Sequence, residues 1–177
     1  MKDMTKLLLV VDMQVDFVYG ALGTPEAILC EQKIAEKLEH FDGEVIFTMD
    51  THDENYLNTA EGKKLPVAHC IKDTDGWMLT PEMRNWCLLK NALTVEKGTF
   101  GSVALPTLIA RHFGGLIPDI TIVGVCTDIC VISNALLLKA FFPEASITVD
   151  SSCCAGVTPE SHENALKAMA CCQIDII

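Results

Sequence analysis

Basic residues are scarce in this chain: 13 Lys and Arg stand against 24 Asp and Glu, a formal net charge of −11. Nucleic acid and anionic membrane surfaces recruit clustered Lys and Arg, so neither is expected as a partner. Membrane-length hydrophobic runs are also missing. The apolar stretch at residues 7–11 is far short of the roughly 20 residues that span a bilayer. No basic region followed by an apolar segment and a small-residue cleavage site is found near the start, and the expected location is the cytoplasm. There is no C-x-x-C zinc knuckle; Cys126 and Cys130 have a C-x3-C spacing instead. Nine cysteines raise the question of a disulfide framework. The number is odd, however, and Cys153/Cys154 and Cys171/Cys172 are adjacent, where a bridge would be badly strained, so reduced thiols are expected. Internal repeats, low-complexity tracts and linkers are absent, which leaves one domain, 1–177. Half of the composition is hydrophobic, enough for a substantial core.

What is present is an alternation of short buried-strand patterns and longer amphipathic ones. Residues 7–11, 44–49, 92–96, 121–125 and 146–149 read as strands, with 174–177 a weaker sixth. Helix patterns fall at 25–40, 101–113, 128–141 and 159–172. Two of their starts are marked by Thr24-Pro25-Glu26 and Thr158-Pro159-Glu160, a capping hydroxyl followed by a first-turn proline. Alternating strand and helix predicts an α/β fold, a doubly wound and mainly parallel six-stranded sheet with helices on both faces. Residues 51–81 escape the pattern, and a connection that long inside a compact domain is usually functional or disordered.

Ligands of open parallel sheets bind outside the carboxyl ends of the strands. Asp12 follows the strand at 7–11, Lys97 follows 92–96, and Cys130 lies just past 121–125 at the start of a helix. The unpaired N–H groups and dipole of a helix start favour negative charge, which is expected to lower the Cys130 pKa. The alternative is a small buried apolar residue, the commoner role of a free cysteine. A nucleophilic thiol needs a base, a nearby cation and donors for the oxyanion it creates; Asp12 can be the base and Lys97 the cation. A second cluster comprises Asp50, His52, Glu61 and His69. Residues i and i+2 of an extended strand point the same way, so Asp50 and His52 can reach one ion. Carboxylate and imidazole donors suit zinc, iron or manganese.

Five segments, beginning at Leu9 (LVVDMQVDF), Thr48 (TMDTH), Leu65 (LPVAHC), Glu96 (EKGTFGS) and Val123 (VGVCTDICV), occur in the order of the isochorismatase-like cysteine hydrolases. The chain resembles that family over nearly its whole length, and within it the nicotinamidases. The resemblance implies a catalytic triad of Asp12, Lys97 and Cys130. It implies a cis peptide before Cys126 and an oxyanion hole from the N–H groups of Cys126 and Cys130. It also implies a divalent ion, zinc foremost with iron or manganese as alternatives, on Asp50, His52 and His69. The remaining ligand is Glu61 or, where many members carry a histidine, Asn58; Glu61 is favoured. Nicotinamidases place an aromatic residue shortly before the last histidine, and 65–68 contains none, so Phe17, Leu65 and Phe100 are the expected pocket residues.

The leading expectation is a cysteine-dependent amidohydrolase, in particular conversion of nicotinamide and water to nicotinate and ammonia through a thioester. The alternatives are hydrolysis of another small amide or N-carbamoyl compound, or a thiol-rich redox or regulatory domain without catalysis. The presence of the cysteine disfavours cleavage of the isochorismate vinyl ether. The partner is a small carboxamide, and the resemblance suggests a homo-oligomer.

Overall fold

The computed structural model describes residues 5–177. Its centre is strand β1 (Lys6–Val11), where every residue from Leu7 to Val11 is completely buried. Leu7, Leu9 and Val11 join the core on one side of the sheet, and Leu8 and Val10 the core on the other. This period-two partition explains why the segment reads as one continuous apolar run: both faces of a central parallel strand are covered.

The other strands are β2 (Glu44–Asp50), β3 (Leu93–Lys97), β4 (Asp119–Val125), β5 (Ile147–Ala155) and β6 (Asp175–Ile176). They form one six-stranded sheet in the order β3-β2-β1-β4-β5-β6, with every neighbouring pair parallel. Helices α1 (Val15–Val18), α2 (Pro25–His40) and α3 (Pro81–Leu89) pack on the Leu8/Val10 side. On the opposite side lie α4 (Leu105–His112), α5 (Ile132–Phe141) and α6 (Pro159–Cys171). This is the doubly wound α/β arrangement expected from the sequence, and its winding reverses between β1 and β4, where such sheets leave a crevice for ligands.

Several boundaries differ from the sequence expectation. Helix α3 was not anticipated, although Thr80-Pro81-Glu82 repeats the start signal read at 24–26 and 158–160. Thr80 Oγ1 accepts from Met83 N at 3.3 Å, as Thr24 Oγ1 accepts from Ala27 N at 3.1 Å. The pattern at 101–113 becomes helical only from Leu105, because the preceding residues form a loop tied down by Asn134. The expected helix at 128–141 begins as a π-helical turn, Thr127–Val131, and becomes α-helical at Ile132. Strand β5 runs past 149 through the polar residues Asp150, Ser151 and Ser152, with a register irregularity against β4.

Gly124 is required where β4 crosses closest to β1. Its φ is +118°, and a Cβ there would stand 2.1 Å from the Val11 carbonyl oxygen. No helix among the described residues is long and apolar enough to cross a membrane.

Candidate active site

The register brings the strand ends to one level. Val11 is opposite both Thr48 and Gly124, Asp50 opposite Lys97, and Val125 opposite Ala155. Asp12, Asp50, Lys97 and the turn after Val125 therefore share the carboxyl rim of the sheet.

Asp12 leaves β1 in a left-handed conformation with φ of 50°. Its Oδ1 accepts from Thr48 Oγ1 at 2.6 Å, and its Oδ2 lies 2.6 Å from Lys97 Nζ. Lys97 Nζ also reaches Asp50 Oδ1 at 3.3 Å, the Thr99 carbonyl at 3.1 Å and Cys130 Sγ at 3.6 Å. The structure thus brings the three expected residues together, all buried. Burial pushes the Asp12 carboxyl above its ordinary pKa despite the Lys97 ammonium. Lys97 is raised above its usual value, because the Asp12, Cys130 and Asp50 charges outweigh the burial that opposes its own charge.

Cys130 corrects an expectation. Burial pushes its thiol well above the ordinary range, Asp12 adds to the rise, and Lys97 counters only part of it. The sulfur sits inside the π-helical turn, dry and facing a carboxylate, so removal from water outweighs the helix start. Asp12 and Lys97 are the charged groups that face the thiol, with Lys97 Nζ 3.6 Å from Sγ.

Four more side chains converge beside the thiol. Ligand atoms of Asp50, His52 and His69 lie within 4.8 Å of one another. His52 Nε2 is 2.9 Å from Asp50 Oδ2 and 3.7 Å from Glu61 Oε1; His69 Nε2 is 3.6 and 3.9 Å from the same atoms. Asn58 turns away, donating through Nδ2 to Asn55 Oδ1 at 2.7 Å on the surface. His69 Nδ1 donates to the Val67 carbonyl at 2.8 Å, which leaves the Nε2 lone pair facing the cluster. His52 Nε2 is buried without a hydrogen-bond partner. An orphaned imidazole nitrogen and an aimed lone pair among carboxylates fit a divalent cation. Burial opposes the charge on Asp50, yet the adjacent His52 and His69 imidazoles and the charge of Lys97 outweigh it and hold the carboxyl well below the usual range.

Two buried amides, Gln14 and Asn134, tie the backbone of the site together without a signal of that role in the motifs. Gln14, fully buried, accepts from Asp50 N at 2.7 Å and donates to the carbonyls of Asp50 and Trp77 at 2.8 and 2.7 Å. Asn134 accepts from Ser102 N at 2.9 Å and donates to the carbonyls of Cys130 and Phe100 at 2.8 and 3.3 Å. Its place one helical turn after Cys130 was the available signal. The Val125–Cys126 peptide is cis. Burial, with Asp128 and Asp12, pushes the Cys126 thiol up to about 12. Phe17, Leu65 and Phe100 all line a cavity of about 630 Å³ that opens over Cys130. Phe17 packs its ring 5.4 Å from that of His69.

A doubly wound parallel sheet, with a buried acid, ammonium and thiol meeting an imidazole–carboxylate cluster at the switch point, is the architecture of an α/β enzyme with a small-molecule pocket. Residues 6–177 match the isochorismatase domain, and the chain belongs to the isochorismatase family. It is 29% identical over 178 residues to the isochorismatase family protein PncA of Bacillus subtilis (strain 168), covering 94% of this chain and 95% of that one. Among solved structures, the nicotinamidase/pyrazinamidase PncA from B. subtilis superposes with a TM-score of 0.78 at 28% identity, covering 98% of this chain and 99% of the other. A pyrazinamidase of Pyrococcus horikoshii in complex with zinc gives a TM-score of 0.77 at 25% identity, covering 97% and 98%.

Proposed function

We propose that the protein is a cysteine-dependent amidohydrolase that converts nicotinamide, or a closely related ring carboxamide, to the acid and ammonia. The coarser statement, a nicotinamidase-like hydrolase of C–N amide bonds, follows from the family and from its likeness to nicotinamidases. The observation that carries the finer reading is Lys97, whose single ammonium touches Asp12, Asp50 and Cys130 and so joins the thiol to the ion-binding cluster.

In this reading Asp12 accepts the thiol proton as Cys130 Sγ attacks the amide carbon. The N–H groups of Cys126 and Cys130 receive the charge that develops on the carbonyl oxygen. Asp12 then returns the proton to the nitrogen as the C–N bond breaks, releasing ammonia and leaving a thioester. The same carboxylate takes a proton from water, which attacks the thioester, and Asp12 hands it back to the departing sulfur. Lys97 keeps Asp12 oriented and stabilises the transient anions. Asp50, His52, Glu61 and His69 would hold a divalent ion, zinc foremost, which when bound supplies a Lewis-acidic point for orienting the ring nitrogen. Phe17 forms the apolar wall against the ring.

Ammonia release from nicotinamide by zinc-loaded protein tests this. Cys130→Ala and Asp12→Asn are each expected to lower kcat by a factor on the order of a thousand, and Asp12→Asn also to lower the melting temperature, because it leaves the buried Lys97 ammonium without its 2.6 Å partner. Equal turnover by wild type and Cys130→Ala sinks the proposal.

A further inference from the structure

The pocket is longer than a one-ring carboxamide needs. It runs across the carboxyl ends of β2, β1, β4 and β5, from Asp50 to Ala155. Three inter-strand spacings make that distance about 14 Å. The volume of about 630 Å³ lies mid-range for cavities that enclose drug-sized ligands, roughly 300–1,000 Å³. The reacting atoms occupy the stretch from the end of β2 to the turn after β4: Lys97 Nζ is 3.3 Å from Asp50 and 3.6 Å from Cys130 Sγ, which lies in that turn. The stretch in front of β5 lies beyond them.

The other end has a different chemistry. All the charged or imidazole lining groups, Asp50, Glu61, Lys64 and His69, belong to β2 and the loop that follows it. Beyond Cys126 the lining is Leu22, Ala27, Val125, Ala155, Gly156 and Val157, with Thr24. The Thr24 hydroxyl is engaged in capping α2. Among the described residues none that lines this end is charged; the nearest carboxylate, Asp128, accepts from Val157 N at 3.1 Å. Leu65 lines the other wall with an aliphatic side chain.

Resting on the reading of the site as an amidohydrolase centre, we infer that this enzyme's preferred substrates are ring carboxamides bearing an uncharged apolar substituent on the ring edge away from the ion-binding cluster. The substituent lies between the start of α2 and the β5–α6 loop. Burial of an alkyl chain there favours the transition state by up to about fourfold per methylene.

The test uses the full chain loaded with zinc and a series of nicotinamides alkylated on the ring from methyl to butyl, with kcat/KM measured by ammonia release. The expected result is a kcat/KM that climbs along the series to at least tenfold above nicotinamide. An otherwise identical chain ending in a carboxylate is expected to lose that gain. Val157 is exposed and lies in a loop, so Val157→Trp should fold; it is expected to cut the ratio of butyl-substituted to unsubstituted kcat/KM tenfold or more. Turnover of nicotinamide that falls with every added methylene overturns the inference and leaves the amidohydrolase reading standing. A ratio unmoved by Val157→Trp overturns it equally. No Cys130-dependent ammonia from any member removes the underlying reading, and this inference with it.

Discussion

Asp50 is the residue on which the geometry of the site turns, and Gln14 holds it. The Gln14 amide satisfies both backbone groups of Asp50, a paired arrangement that fixes where the carboxylate points. Replacing it strands buried backbone groups, a loss of about 1–3 kcal/mol. Partners that orient metal ligands typically change affinity by about 10–100-fold. Gln14→Ala is therefore expected to weaken zinc binding by that factor in a chelator competition titration, with a lower melting temperature. The contribution of Gln14 was not legible in the sequence, because a glutamine two residues past a strand carries no sign of which backbone it will clasp. Asp12, Lys97 and His69 were legible, since each sits in a motif beside a strand end or a loop histidine. The Cys130 thiol was legible as a position but not as a thiol pushed up by burial: its neighbours, and the dryness they impose, come from β1 and β3.

At the scale of elements, Gly124 and Asp150 make the strongest predictions. A side chain at Gly124 meets the Val11 carbonyl and must also adopt a positive φ. Gly124→Ala is expected to cost about 3 kcal/mol or more in urea unfolding, from strain and overpacking together. Asp150 joins β5 to α2, where Lys37 Nζ lies 2.6 Å from its Oδ2 and Ser152 donates to its Oδ1 at 2.8 Å. Burial opposes its charge, but these partners outweigh it and lower its pKa. A depressed folded-state pKa means stability that is present above the unfolded value, near 3.9, and is lost as pH falls through the folded one. Asp150→Asn is expected to lower stability by about 1–2 kcal/mol at pH 7, with the gap to wild type closing in acid, as chemical denaturation at pH 7 and pH 3 would show.

Elements were most legible where one physical signal decided them. Residues 25–40 emerge as α2 with the expected bounds, because cap, proline and apolar period agree. The same cap at Thr80 went unread inside a segment judged irregular throughout, and polar Asp150 to Ser152 hid the second half of β5. Polar residues end a strand pattern in sequence, whereas in the fold they are fed by α2 and by one another.

For the whole molecule, the proposed ion site couples ion binding to folding. The four converging side chains come from β2 and from the loop after it, and they meet only when the chain is folded. An ion that binds only the folded chain adds about 2.7 kcal/mol when its concentration is 100 times its Kd. Zinc is expected to raise the calorimetric melting temperature, a chelator to reverse the rise, and His69→Ala to abolish it. The overall topology was readable because strand and helix alternate from end to end; the depth of the pocket was not, since it depends on how far β5 and α2 stand from the reacting thiol.

One carboxylate faces two ways. Asp50 gives Oδ1 to Lys97 and Oδ2 to the two histidines. Any cation drawn to the histidine side competes for electron density that the ammonium also uses, and Lys97 in turn touches the sulfur. If a divalent ion occupies the histidine side, its occupancy and the ionisation of the thiol are thermodynamically linked through a single side chain. Such linkage is reciprocal: if zinc changes the equilibrium constant for forming the thiolate by some factor, ionising the sulfur must change zinc affinity by the same factor. The two halves of the site are one titration.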